Sequence, residues 1–322
     1  MSCKTISVLT SGGDAPGMNA AIRAVVRSAI SNGVRILGVR RGFNGLINGD
    51  IFEMNLRSVS DIIHKGGTIL YTARSPEFRT SNGIDKAVKV CEKLNIDGVI
   101  VIGGDGSFRG ARALSRRGIP CVGIPGTIDN DISCSEYTIG YDTAMNTAMG
   151  MIDKIRDTAQ SHDRCSVVEV MGRRCGDIAL NTGIAIGATA ILVPEVQYDI
   201  EKDIINRIKF TQNIGKKHFI IIVAEGLRCV NKISKEIKKR TGIDSRTTIL
   251  GHVQRGGSPT LRDRVMASEM GCTAVDMLIN NINNKIIAIK NNKVIYIDIS
   301  KALSEKKLFD IDLYKKALDI SI

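Results

Sequence analysis

Short, almost continuously apolar runs alternate along this chain with stretches patterned as amphipathic helices. This alternation restricts the fold more than any other feature. Residues 5–9, 34–39, 98–102 and 120–124 read as strands. Residues 18–31 read as a helix through Ala20, Ala21, Ala24, Val25 and Ala29; residues 108–116 form another, and a third ends over 88–94. A strand that is apolar at consecutive positions has to be covered on both faces, as in a parallel sheet flanked by helices. The pattern restarts after Gly140, with a long helix over 141–160 and strands over 166–171, 190–193 and 219–224. Helices fall over 176–187 and 204–211, and an exposed, charged helix over 231–240. At 322 residues the chain accommodates two such units. The expected fold class is α/β: two doubly wound (Rossmann-like) three-layer domains. An active-site cleft between them is expected, because ligand clefts favour such interfaces. The Asn-rich residues 280–292 read as a polar surface region without chemistry.

The net charge of +12 asks for anionic partners, yet the basic residues are spread along the whole chain and aromatics make up only 4%. A stacking platform for single-stranded nucleic acid is poorly supported by that composition. Scattered arginines beside glycine loops point to phosphate groups instead. The eight cysteines form no Cys-x-x-Cys pair and only four histidines are present, so zinc spacing is absent. Free thiols in a reducing compartment are expected. No apolar run is long enough to span a membrane, and no long apolar segment precedes the first strand. A cytoplasmic protein without membrane or nucleic-acid partners is expected.

Residues 121–131 leave an apolar run through Pro125 and Gly126 and enter a loop in which Asn130 separates Asp129 from Asp131. On an extended chain, residues two apart point the same way. The carboxyl end of a strand is where open α/β sheets place their ligands. One carboxylate suits a general base and the other an orienting group or metal ligand. An Asx-rich turn is the commoner meaning of such a cluster. Two glycine loops precede it. In residues 11–19, Gly12 and Gly17 have P-loop spacing, but Met18 and Asn19 stand where Lys and Ser/Thr belong. A P-loop is thereby excluded, leaving either a tight turn or a glycine-rich helix N-terminus that can seat an anion. Residues 102–107 place Asp105 between glycines after a strand, where a carboxylate can meet a phosphate-bound Mg²⁺. Arg74, Arg164, Arg173, Arg246 and Arg255 stand beside glycines and strand ends, as phosphate clamps would, although a lone Arg is more often a solvated charge. His252 beside Arg255 suits a sugar phosphate or a purely structural hydrogen bond.

Five stretches in order, LTSGGDAPGMN (9–19), IGGDGS (102–107), PGTIDND (125–131), VEVMGRRCGD (168–177) and LGHVQRGGSP (250–259), resemble the bacterial ATP-dependent 6-phosphofructokinases of the phosphofructokinase A family. The resemblance extends over essentially the whole chain. It implies transfer of the ATP γ-phosphoryl to the C1 hydroxyl of fructose 6-phosphate, a glycolytic step giving fructose 1,6-bisphosphate and ADP. It implies Asp129 as general base, Asp131 as support for the hydroxyl or metal, Thr127 beside the transferred group, and Arg74 and Arg173 as charge neutralisers. ATP is implied at Gly13, Arg74, Ser75, Gly104, Asp105, Gly106 and Ser107, with Asp105 toward Mg²⁺. Fructose 6-phosphate is implied at Thr127, Ile128, Asp129, Met171, Gly172, Arg173, Glu225, His252, Val253, Gln254 and Arg255. Arg164 and Arg246 match positions that reach the sugar phosphate from a neighbouring subunit, implying a homotetramer. The implied domains are residues 1–139 with about 257–304, large and ATP-binding, and residues 140–256 with about 305–322, smaller and sugar-binding.

Pyrophosphate-dependent relatives typically carry Asp and Lys where this chain has Gly106 and Gly126, so ATP is the expected donor. Other kinases with a Gly-Gly-Asp-Gly loop leave PGTIDND and the His252–Arg255 run unexplained. A basic nucleic-acid-binding protein leaves Asp105, Asp129 and Asp131 unexplained. The resemblance also implies an effector site for ADP or phosphoenolpyruvate at Arg23, Arg27, Ser58, Asp61, Arg156, Gly187, Lys216, Lys217 and His218. The chain departs from that pattern at Leu56, Thr189 and Ile214, which replace an Arg, an acidic metal ligand and a Lys. Weak or altered effector response is expected.

Overall fold

The computed structural model describes residues 3–321. Among them are eleven strands: β1 (Thr5–Ser11), β2 (Arg35–Val39), β3 (Ile51–Glu53), β4 (Gly98–Gly103), β5 (Cys121–Pro125), β6 (Cys165–Val170), β7 (Ala190–Leu192), β8 (Phe219–Ala224), β9 (Ser245–Ile249), β10 (Lys285–Lys290) and β11 (Lys293–Asp298). The helices are α1 (Met18–Ser31), α2 (Gly42–Asn48), α3 (Ser81–Lys93), α4 (Asp105–Ser115), α5 (Tyr141–Ser161), α6 (Asp177–Ala185), α7 (Asn206–Asn213), α8 (Val230–Thr241), α9 (Leu261–Ile279), α10 (Ile299–Ser304) and α11 (Ile311–Asp319). The chain divides into two compact units, Met1–Thr143 with Arg255–Lys307, and Ala144–Gln254 with Leu308–Ile322.

The first unit is built on a seven-stranded sheet of order β11-β10-β5-β4-β1-β2-β3, parallel except where β3 and β11 pair at its edges. Strand side chains alternate between its faces. Leu9, Leu37, Val99, Val101 and Cys121 join Phe43, Ala87, Phe108, Ala111 and Ala302 of α2, α3, α4 and α10 in one core. The opposite face carries α1 and α9, which cross so closely that a Cβ on Gly271 would lie 2.7 Å from the Ala24 Cβ. Likewise a Cβ on Gly98 would meet Leu278 of α9 at 2.9 Å. Chain order reverses between β1 and β4, and in such sheets the crevice at that switch, beyond the carboxyl ends of the strands, receives ligands.

The second unit has a four-stranded, all-parallel sheet of order β7-β8-β6-β9. Cys165, Val167, Leu192, Phe219, Ile221 and Val223 pack with Ile208 of α7 and Val230, Ile233 and Ile237 of α8. The charged helix over 231–240 is therefore not exposed all round: α8 buries one stripe. On the other sheet face, Gly183 of α6 lies against Ile191 of β7, leaving 2.5 Å for a Cβ.

Two local expectations are corrected. Residues 280–292 are not wholly a polar surface, because Ile286, Ile287, Ala288 and Ile289 of β10 are buried beside β5. The asparagines flank that strand: Asn291 and Asn292 form the two-residue turn to β11, with φ of +51° and +57°. Both left-handed positions suit the twist of a hairpin, and Asn tolerates them. Helix α4 begins at Asp105 and not at 108, so Asp105, Gly106 and Ser107 are its first turn. No helix among the described residues is long and apolar enough to cross a membrane.

Candidate functional site

In the first unit, the carboxyl ends of β1, β4 and β5 meet through a few short bonds. Ser107 Oγ donates to Ser11 O at 3.0 Å, and Gly126 N to Gly103 O at 3.0 Å. A side chain on Gly103 would strike Ser107 Oγ and Ser11 O, both 2.4 Å from its Cβ, so this crossing requires glycine. Gly104 caps α4, whose unpaired first-turn N–H groups and dipole favour an anion. Asp105 sits in that turn, half-exposed and paired with Arg109 at 2.9 Å. Gly12 (φ +91°) turns the chain out of β1, and Thr72 Oγ1 donates to its carbonyl at 2.7 Å. Asn19, where a P-loop would have Ser or Thr, is a buried clamp. Its amide donates to Lys65 O and Gly66 O and accepts from Ile69 N.

Beyond β5, residues 127–130 turn. Asn130 has φ +50°, so the chain is not extended between the two carboxylates and their spacing does not aim them alike. Within this turn Asp129 N donates to Thr127 Oγ1 at 3.3 Å, and Asp129 is buried to 1% exposure. Asp129 Oδ2 lies 3.5 Å from Thr127 Oγ1 and 3.8 Å from Arg255 Nη2. Arg255 Nη1 donates to Asp14 O at 3.0 Å, and its guanidinium lies so near Gly13 that a Cβ there would be 2.3 Å from Nη1. Arg255 thus spans from the β1 glycine loop to Asp129. The turn is braced by residues 137–143: Thr127 N donates to Ile139 O, Ile139 N to Pro125 O, and Thr138 Oγ1 to Thr127 O. The brace is anchored in turn by Asp263, a buried residue that accepts from Tyr137 Oη, Gly140 N, Thr143 N and Thr143 Oγ1 at 2.5–2.9 Å. Burial pushes the Asp263 carboxyl above the usual range, while Thr143, Tyr137 and Gly140 pull it back. Nothing in the sequence distinguishes Asp263 from an ordinary acidic residue in a first helical turn.

In the second unit, three successive backbone N–H groups beyond β6 find side-chain acceptors. Met171 N donates to Gln254 Oε1 at 2.9 Å; Gly172 N and Arg173 N donate to Glu225 Oε1 at 3.2 and 2.6 Å. Gly172 (φ +137°) and Arg173 (φ +54°) turn the loop so that Arg173 is exposed. Burial, then the Glu225 charge, raises the Glu169 carboxyl. Arg164 and Arg246 share Asp244, at 2.9 and 3.2 Å. Lys238, Arg246 and Arg164 hold that carboxyl below its usual range, Lys238 most.

A model of the phosphofructokinase family matches residues 5–278. The chain belongs to that family. Phosphofructokinase relatives named ATP-dependent 6-phosphofructokinase, from Clostridioides difficile and Alkaliphilus metalliredigens, are each 56% identical over 319 residues, covering 99% of this chain and all of theirs. A solved phosphofructokinase from Saccharomyces cerevisiae superposes with a TM-score of 0.91 at 34% identity, over 98% of this chain; the chain spans half the length of that yeast chain. A pyrophosphate-dependent phosphofructokinase from Marinobacter aquaeolei reaches a TM-score of 0.85 at 19% identity over 99% of this chain, which shows a shared fold alone.

The phosphofructokinase motifs fall into sets within the two units. Gly13, Gly104, Asp105, Gly106, Ser107, Thr127, Asp129 and Arg255 gather in the first. Met171, Gly172, Arg173, Glu225 and Gln254 gather in the second, and His252 and Val253 are exposed on a short 3₁₀ turn there. Ile128 and Gln254 are fully buried, and Gln254 Oε1 accepts from Met171 N. The effector set is split. Arg23, Arg27, Ser58 and Asp61 lie in the first unit, with Ser58 in a capping box with Asn55. In the second, Arg156 donates to Ile186 O and crowds Lys216 and His218. Burial, then Arg156, lowers the titration of both Lys216 and His218. Gly187 and Lys217 are exposed, as are Leu56 and Ile214, whereas Thr189 is fully buried and reaches no surface.

Proposed function

We propose that the chain is an ATP-dependent 6-phosphofructokinase acting in the cytoplasm as a homotetramer. The observation that carries this reading is Arg255 lying against Gly13 and reaching toward buried Asp129, beside two glycine loops at a topological switch. Asp129 accepts the proton of the fructose 6-phosphate C1 hydroxyl as that oxygen attacks the γ-phosphorus of ATP, and the bond to the ADP oxygen breaks. Thr127 flanks the moving group, and Asp131 supports the hydroxyl. Phosphoryl transfer needs positioning and charge more than covalent chemistry, and Arg74 and Arg173 supply positive charge. Gly13, Arg74, Ser75 and the first turn of α4 hold the donor. Met171–Arg173, Glu225, His252 and Arg255 hold the sugar phosphate, with Arg164 and Arg246 reaching a neighbouring subunit's site.

No cluster of three or more acidic, His or Cys side chains forms a metal cage among the described residues. That fits Mg²⁺, which keeps several waters and takes one or two carboxylates plus phosphate oxygens. Asp105 would hold it, and the bound ion would offset phosphate charge. A Cβ on Gly106 would meet nothing within 4 Å, which leaves nucleotide space open; one on Gly126 would meet Ile102 at 3.0 Å. Incubating the protein with fructose 6-phosphate, Mg²⁺ and either ATP or pyrophosphate tests the reading. Fructose 1,6-bisphosphate is expected with ATP, and product with pyrophosphate alone would reverse the donor assignment.

Effector control is expected to be weak. Exposed apolar Leu56 and Ile214 offer no charge to a phosphate. Initial rates at sub-saturating fructose 6-phosphate should change little with ADP or phosphoenolpyruvate. Strong activation by the first together with strong inhibition by the second would sink the idea.

A further inference from the structure

Asn19 ends the 9–19 stretch at the start of α1, yet it has no substrate to meet, because it is 1% exposed. Its whole amide is turned to one loop. Nδ2 donates to Lys65 O and Gly66 O, both at 3.1 Å, and Oδ1 accepts from Ile69 N at 2.8 Å. A primary amide supplies two donors and an acceptor from one planar group. That loop needs such a partner. Between Val59 and Glu77 the chain forms no helix or strand, so ladder bonds do not hold its backbone.

The segment is pinched from the far side by other backbone. A Cβ on Gly66 would lie 2.4 Å from Gly257 O, and Ser258 Oγ donates to His64 O at 2.7 Å. Downstream of the clamp, the same segment is tied to the end of β1. Thr68 Oγ1 lies 3.0 Å from Thr10 Oγ1, which donates to Tyr71 O at 2.8 Å, and Thr72 Oγ1 donates to Gly12 O. Arg74 follows two residues later. It is exposed, so its place is set by the backbone that carries it.

We propose that Asn19 is a positioning residue for phosphoryl transfer: by clamping residues 65–69 it fixes the backbone that delivers Arg74 to the donor's phosphates. This deepens the functional reading above and rests on its assignment of Arg74 as a charge neutraliser. Where a P-loop places a hydroxyl on the metal, this chain places an amide on its own backbone.

The test is a double-mutant cycle in the full-length protein between Asn19→Ser and Arg74→Ala, read as kcat/KM for ATP. Serine keeps a hydroxyl but is too short to hold both sides of the loop. Alone, Asn19→Ser should lower kcat/KM for ATP by roughly 10- to 100-fold, the scale of an ångström-sized misplacement, and leave KM for fructose 6-phosphate within about two-fold. In the Arg74→Ala background the same substitution should cost less than about two-fold. Calorimetric melting reports folding, and Thr72→Val, which deletes only the bond to Gly12 O, takes the place of Asn19→Ser if that protein unfolds. Losses that simply add in the cycle that folds overturn the proposal. So does a KM for fructose 6-phosphate that rises as much as the ATP term falls. A parent protein that turns over no ATP, or an Arg74→Ala protein as fast as the parent, would overturn the functional reading instead.

Discussion

Asp129→Ala is expected to lower kcat by about 10²–10⁴-fold, the usual worth of a positioned base, with the fold and both substrate affinities retained. The side chain is 1% exposed, and the backbone of the turn that carries it is held by other groups. Its Oδ2 stands 3.5 Å from the Thr127 hydroxyl and 3.8 Å from Arg255, both long for strong hydrogen bonds. The turn itself is set by main-chain bonds between residues 125–127 and Ile139 and by the left-handed Asn130, none of which needs the carboxylate. Steady-state rates with fructose 6-phosphate and ATP, alongside calorimetric melting, separate the two effects. A kcat within ten-fold of the parent at equal stability removes Asp129 from the base role.

Asp263→Ala costs stability, about 3–5 kcal/mol, because two hydroxyls and two backbone N–H groups lose one shared acceptor in a buried place. Asp263→Asn keeps the shape but turns an amide toward donors, so an intermediate loss is expected. Urea unfolding measures both. Since residues 137–143 brace the Thr127 turn, turnover should fall with stability. An Asp263→Ala protein as stable as its parent would show that the network is incidental.

The parallel α/β plan was legible because buried strands must be apolar at every position, as in Gly98–Gly103 and Phe219–Ala224. The glycine loops were legible too, because close backbone approach excludes a Cβ, as at Gly103. Strand β10 was hidden because only four apolar residues lie between asparagines and lysines, and its burial comes from β5, far away in sequence. Asp105 reads as loop because glycine on both sides resembles a turn, yet its backbone is already helical. Asp263 and Asp244 carried no signal. A carboxylate's partners depend on tertiary neighbours that spacing does not encode.

The interleaving of the two units sets an order of events during synthesis. The sheet of the second unit, β6 to β9, closes within one uninterrupted stretch. In the first, β5 stays an open edge until β10 arrives, about 160 residues later. At ribosomal speeds of roughly 5–20 residues per second, that edge is unpaired for about 8–30 s. An apolar strand left bare so long is a template for wrong pairing. The nascent chain, more than the finished protein, is therefore where this fold most needs a chaperone.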